Sequence, residues 1–357
     1  MSLFADQFDG KSVLVVGGAG FVGNNLVRMI LEHSPKSSVT VIDNLLSAER
    51  ENLPLENDRL EFIHGSISDD SIVSQVDDRF DYIFHLATFH GNQSSIHDPL
   101  RDHDNNTLTT LKLLERVHKF ENLKKLVYSS AGCSVAKKTY DDAEATDEDA
   151  PISLEQDSPY SLSKIFGEFY CYYYFRQYET PAVRVRFQNV YGPGELLGAG
   201  DWRGTPATVW RNVTPTFVYR ALHNESLPLE NAGESSRDFI FVEDICRGLM
   251  AAALNGEAGD VYNLASGGDT TIRELAETIV ELTGSTGGVE LKPKRHWDNS
   301  GKRYGSPDKS RDEIGFEAEV PLRDGLSRMI DWNRDNMKWI QSCMDKHKAN
   351  VEAYEPR

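Results

Sequence analysis

The stretch Gly17-Gly18-Ala19-Gly20-Phe21-Val22-Gly23 decides the fold: it follows the apolar run SVLVV (12–16) and opens the amphipathic stretch FVGNNLVRMILEH (21–33). A strand, a glycine turn and a helix in that order suit a dinucleotide. Gly17 permits the tight turn, Gly20 lets backbone approach a pyrophosphate, and Gly23 lets helix and strand pack closely. The helix start at Phe21 and Val22 then offers N–H donors and a partial positive charge. A glycine turn alone is often only structural, so its surroundings matter. Asp43 closes the next apolar run, VTVID (39–43), where a carboxylate accepts hydrogen bonds from a ribose diol. Asp43 would repel a 2′-phosphate, and Asn44 and Leu45 beside it supply no Arg to receive one. The expected cofactor is NAD rather than NADP.

Outward from the turn, LEFIHG, DYIFHLA, KKLVYSS and AVRVRF read as further strands, and 99–119 and 160–178 as helices. Near-continuous apolar runs separated by helices predict an α/β fold, a Rossmann-type doubly wound parallel sheet. We expect an NAD-binding domain over 1–190 and a smaller substrate-binding lobe over 191–345. Segments about 238–265 are expected to return to the first domain. The acidic stretch from Asp141 to Asp149 reads as a solvated loop.

Composition narrows the partners. With 357 residues and a formal net charge of −18, the chain's field repels nucleic acid and anionic membranes alike. An anionic small substrate therefore needs a local cluster of Arg. Four scattered cysteines, Cys133, Cys171, Cys246 and Cys343, read as free thiols of a reducing compartment. The start MSLFADQFDGKS has no basic and apolar leader, and no window is apolar enough to span a bilayer, so a cytoplasmic protein is expected.

The second chemical signal is Tyr160-Ser161-Leu162-Ser163-Lys164. Residues four apart on a helix share a face, so phenol and ammonium can enter one cleft. A nearby cation lowers a phenol's pKa and makes a tyrosinate base accessible. Tyr and Lys at this spacing are usually surface residues; following a strand, in a chain with a dinucleotide turn, they read as catalytic.

The glycine turn, VIDN (41–44), HLAT (85–88), SSAGCS (129–134), YSLSK (160–164), NVYGPG (189–194), RDFIFVED (237–244) and YNLASG (262–267) occur in one order. In that order they resemble the extended short-chain dehydrogenase/reductases, most closely the NAD-dependent nucleotide-sugar epimerases and dehydratases. The resemblance implies that Tyr160 is the acid/base and that Lys164 binds the nicotinamide ribose. It places Ser66 and Ile67 at the adenine, where the family's usual Asp is missing, and Leu86 and Ala87 along the cofactor. Asn106 falls where an Asn supports the tyrosine helix. Thr88, Asn189, Arg237 and Arg295 fall at substrate-binding positions, and the partner implied is a nucleotide-diphosphate sugar. Family helices equivalent to 99–119 and 160–178 pair across a homodimer, and Phe166, Phe169, Tyr170, Tyr173 and Tyr174 supply aromatic faces. The same stripe also reads as intramolecular core.

The expected reaction is an epimerisation through transient oxidation at the sugar's C4. The family's catalytic Ser/Thr falls on Ala131, leaving Ser130 or Ser134 to replace it. No acidic residue follows, which argues against dehydration. Cys133 falls where GDP-mannose 3,5-epimerases carry a proton-exchanging Cys, and Trp202-Arg203-Gly204 parallels their Trp-Lys-Gly element. Arg stays protonated and is a poor base, so Arg203 also reads as a substrate-phosphate contact. Inversion at C5 or C3, rotation of a 4-keto sugar, dehydration or reduction, and NAD sensing without catalysis all remain open.

Overall fold

The computed structural model describes residues 4–132, 135, 139, 141–294 and 301–354. Its centre is a seven-stranded parallel sheet: β1 (Ser12–Val16), β2 (Ser38–Asp43), β3 (Leu60–His64), β4 (Tyr82–His85), β5 (Lys125–Ala131), β6 (Ala182–Phe187) and β7 (Val261–Leu264). The strand order β7-β6-β5-β4-β1-β2-β3 reverses direction between β1 and β4. Open parallel sheets bind ligands beyond the carboxyl ends of the strands at such a reversal.

Alternation along β1 explains why its run is apolar throughout. Val13 and Val15 pack into one core with Leu26, Val27 and Ile30 of α1 (Phe21–His33). Leu14 and Val16 pack into the opposite core with Leu113, Leu114, Cys171 and Tyr174. Each face of the strand is covered by helices, so Val13 to Val16 are all buried. The Rossmann-type doubly wound sheet expected from sequence is therefore present.

The helical run expected over 99–119 contains Pro99–Asp102, a π-helical turn His103–Leu108, and α2 (Thr109–Val117). A π turn re-aims side chains locally, and here it carries Asn106. The catalytic-motif helix, α3 (Pro159–Tyr178), starts with Pro at its first position and with Ser158 accepting from the Ser161 N–H at 3.3 Å. Gly167 lets α3 lie close on β5, since a Cβ there would sit 2.0 Å from the Tyr128 Oη. The aromatic stripe divides: Tyr170 and Tyr174 pack onto the core, whereas Phe166, Phe169 and Tyr173 are exposed.

A third core, including Phe217, Leu229, Phe241, Leu275, Ile279 and Met329, belongs to the later half of the chain. The two halves are stitched at several points. Ala145–Thr146 pairs in parallel with Tyr304–Gly305, and α4 (Val242–Asn255) packs beside α1, while within the later half Asn189–Tyr191 pairs in parallel with Phe239–Phe241. Among the described residues no helix is long and apolar enough to cross a membrane. Cys171, Cys246 and Cys343 are buried free thiols; Cys133 lies outside the described residues.

Candidate active site

A cleft of 710 Å³ opens at the reversal between β1 and β4. Gly17, Gly20, Phe21, Val22 and Gly23 form part of its wall, directly beyond the end of β1, where the Gly17 N–H donates to Ile42 O at 2.8 Å. The glycines answer to contact geometry. Gly17 has φ +85°, and a Cβ there would lie 2.4 Å from Ala87 N. A Cβ on Gly23 would lie 2.3 Å from the Gly17 carbonyl, so α1 could not close on the turn.

Asp43 secures the same turn. Its Oδ2 accepts from the Ala19 N–H at 2.9 Å and its Oδ1 from the Leu45 N–H at 2.8 Å. Burial pushes its carboxyl up, and the backbone donors pull the other way. A carboxylate has about four lone-pair sites, which leaves capacity for a ribose diol in the cleft it lines. Asn44, Ser66, Ile67, Leu86, Ala87 and Thr88 line the cleft as well. Asn52, which belongs to none of the motifs, also braces the turn: its side chain donates to the Ala19 carbonyl at 2.8 Å. These residues fit an NAD molecule: an open helix start, a turn that tolerates no side chain, and a carboxylate at the second strand's end.

Across the cleft stand Tyr160 and Lys164. The Lys164 ammonium donates to Ser129 O at 2.9 Å and lies 5.8 Å from the centroid of the Tyr160 ring. His90 meets the same ring edge-on at 6.2 Å. Burial, then Arg211, Arg203 and Lys164, push the His90 imidazole down to about 3, so it is neutral at ordinary pH. Asn106 is not in the cleft wall. It accepts from Thr88 Oγ1 at 3.0 Å and from Phe89 N at 2.6 Å, and donates to Ser163 Oγ at 3.2 Å and Asp102 Oδ1 at 2.7 Å. It thereby joins the loop after β4 to α3.

Ser130 lines the cleft, but its hydroxyl is engaged with Glu168, at 2.5 Å from Oε1. Glu168 continues the face of Tyr160 and Lys164 one turn further along α3, and Arg186 of β6 clamps it with two bonds of 2.9 Å. The motifs leave Glu168 unmarked, although the four-residue spacing 160, 164, 168 is a signal that could have found it.

The later half supplies the cations. Asn189 and Arg237 line the cleft, as do Arg211, Arg220 and Arg303, which the motifs did not mark. Arg237 donates to Ser236 O and Gly301 O, both at 2.6 Å. The neighbouring Asp238 accepts from Ser266 Oγ at 2.6 Å and Gly267 N at 3.1 Å, which ties the RDF and ASG motifs together. Arg203 corrects an expectation. It is 1 % exposed and does not line the cleft: its guanidinium reaches Leu46 O at 3.3 Å and Thr208 O at 3.4 Å behind the wall. A compact loop turns it inward, and Arg211 takes the position facing the cavity. Arg295 lies outside the described residues.

A Rossmann turn facing a Tyr–Lys pair across one cleft defines a nicotinamide-dinucleotide enzyme of the short-chain dehydrogenase/reductase class. Residues 13–265 match the family described as the NAD dependent epimerase/dehydratase family, and the chain belongs to it. The Bordetella bronchiseptica enzyme WbmF, solved with NAD+ and UDP, is 55% identical with a TM-score of 0.88, covering 98% of this chain and 100% of that one. The UDP-glucose 4-epimerase of Thermotoga maritima, solved with UDP-glucose, is 29% identical with a TM-score of 0.81, covering 91% and 99%. A dTDP-glucose 4,6-dehydratase of Streptomyces niveus is 30% identical over 348 residues, 94% of this chain and 97% of its own. The chain is thus an NAD-dependent enzyme of the nucleotide-sugar epimerase/dehydratase family.

Proposed function

We propose that the chain epimerises a UDP-linked sugar by transient oxidation at C4. The observation that carries the reading is Tyr160 and Lys164 held on one wall of the cleft, opposite the glycine turn. The UDP bound to the Bordetella neighbour supports the choice of nucleotide. Bound NAD supplies a reversible hydride acceptor, which makes a ring alcohol oxidisable and its ketone reducible without net change.

In this reading Tyr160 takes the C4 hydroxyl proton during oxidation and returns it during reduction. Lys164, fixed by Ser129 O, favours the phenolate and holds the nicotinamide ribose. Asp43 takes the adenosine ribose, and Asn189 and Arg237 hold the substrate diphosphate; Arg303 lines the same cleft. Arg295 remains a proposed diphosphate contact and Cys133 a proposed proton-exchanging group; both lie outside the described residues.

A ketone at C4 acidifies the protons on C3 and C5, because loss of either leaves an enolate. Removal by one group and return from the opposite face inverts that carbon. Dehydration lacks its usual acid, since Ala131 and Gly132 precede Cys133. In heavy water the product is expected to gain one deuterium at C5 or C3 by NMR, and Cys133→Ala to abolish that label. An epimer free of carbon-bound deuterium would instead identify C4 inversion by rotation of the keto sugar.

We also infer a homodimer through α3. Phe166, Phe169 and Tyr173 present an exposed apolar stripe, with Leu100 nearby in sequence to the π turn at 76 % exposure. Contiguous apolar surface of this kind marks association sites. Phe166→Glu together with Phe169→Glu is expected to shift the sedimentation coefficient from dimer to monomer. An unchanged coefficient in a folded variant would exclude this face.

A further inference from the structure

We propose that Asp102, buried behind the cleft, is a positioning residue: through Asn106 it leaves the Thr88 hydroxyl able to accept a hydrogen bond from the cleft but not to donate one. The inference rests on the epimerase reading above and says how one wall of that site selects what it holds.

The orientation of the Asn106 amide follows from its neighbours alone. On one side, 2.6 Å away, lies the Phe89 backbone N–H, which can only donate. On the other lies Asp102 Oδ1 at 2.7 Å, which as a carboxylate can only accept. Burial pushes the Asp102 carboxyl up to about 6 against the pull of Ser163, Lys164 and Asn106, so it is ionised at neutral pH. Asn106 must therefore turn Oδ1 to Phe89 and Nδ2 to Asp102. The reversed amide would set N–H against N–H and oxygen against oxygen. The second Nδ2 hydrogen goes to Ser163 Oγ at 3.2 Å. Asp102 is 1 % exposed and Asn106 3 %, so bulk water does not compete for these groups.

Thr88 inherits the consequence. Its Oγ1 lies 3.0 Å from Asn106 Oδ1, an oxygen with no hydrogen of its own, so the Thr88 proton points there. A hydroxyl has one proton and two lone pairs. With the proton committed, Thr88 can only accept from the cleft that it lines. Its place on the loop after β4 matters to the chemistry. A Cβ on Gly17 would touch the N of Ala87, just before Thr88, and His90, just beyond it, meets the Tyr160 ring. Thr88 is thus carried between the cofactor turn and the acid/base. The group that meets it there is a hydrogen-bond donor, of the sugar or of the dinucleotide. A ketone or carboxylate oxygen in its place would face a lone pair.

The test uses holoenzyme with whichever of UDP-glucose, UDP-N-acetylglucosamine and UDP-glucuronate the wild type turns over fastest. Thr88→Val is expected to lower kcat/KM about 10-fold, the size of one hydrogen bond, and Thr88→Ser to recover most of the loss. Asp102→Leu removes the acceptor and is expected to cost a similar factor, whereas Asp102→Asn keeps an acceptor oxygen and recovers it. In the Thr88→Val background, Asp102→Leu is expected to add less than about 2-fold. If the two losses multiply instead, Asp102 does not act through Thr88 and the inference is overturned. A Thr88→Val protein with wild-type kcat/KM and dinucleotide content would overturn it too, and needs no folded Asp102 variant. Release of dinucleotide from Thr88→Val would place the donor on the cofactor; a raised KM with dinucleotide retained would place it on the sugar. For a sugar donor, replacing the contacted hydroxyl by hydrogen or by fluorine is expected to weaken wild-type binding equally, since fluorine accepts but cannot donate. A fluorinated sugar that binds as well as the parent would overturn the polarity. Each of these failures leaves the epimerase reading intact. If wild-type holoenzyme turned over none of the three sugars and exchanged no deuterium with them, that reading itself would fail, and this inference with it.

Discussion

Tyr160→Phe is expected to lower turnover by about 10²–10⁴-fold, the span that one positioned acid/base contributes, with the dinucleotide content of the purified protein unchanged. The separation follows from where the parts sit. Cofactor grip comes from the glycine turn and Asp43, on β1 and β2, whereas the phenol projects from α3 on the opposite wall. Removing one oxygen from the Tyr160 ring leaves its edge contact with His90 and the Lys164 bond to Ser129 O in place. The measurement pairs initial rates on a UDP-sugar with NAD(H) released by denaturation. Retention of more than about a tenth of wild-type turnover would remove Tyr160 from the acid/base role. Loss of both rate and dinucleotide would show that the ring acts through binding instead.

How much of this is legible in the chain depends on distance along it. The glycine turn and the Tyr–Lys pair are local devices: a turn needs its glycines within seven residues, and a helix face repeats every four. Both read correctly as structure. Motif order places Asn106, but not the π turn that aims it, because one slipped hydrogen bond leaves no mark on apolar periodicity. Arg203 and Arg211 show the limit more sharply. Both follow the YGPG motif in an irregular loop, and nothing local distinguishes the one that turns inward from the one that faces the cavity. Burial behind Leu46 and Thr208 decides it, and those contacts come from the β2 end and from the loop itself. A strand before residue 190, Ala145–Thr146, pairs with one after it, Tyr304–Gly305, and nothing local in either marks that contact.

Glu168→Ala is expected to destabilise the fold by roughly 3–5 kcal/mol, because it strands a buried guanidinium. Arg186 is 3 % exposed and Glu168 1 %, and two charge-assisted bonds join them between α3 and β6. Arg186 also donates to Glu148 O at 2.8 Å, and Glu148 in turn accepts from the Asn263 N–H of β7 at 2.7 Å. The pair therefore locks the helix that carries Tyr160 to the sheet edge and to the loop before it. Replacing both partners, Glu168→Leu with Arg186→Met, removes the stranded charge and is expected to recover most of the stability. Urea midpoints at fixed protein and dinucleotide concentration make the comparison, since bound ligand adds its own stabilisation. A single variant within about 1 kcal/mol of wild type would mean that water reaches Arg186 and that the clamp is not dry. If the double variant folds but turns over slowly, the charge pair serves placement rather than stability: Ser130 would lose the acceptor that now holds its hydroxyl, and the end of β5 would lose that tie to α3.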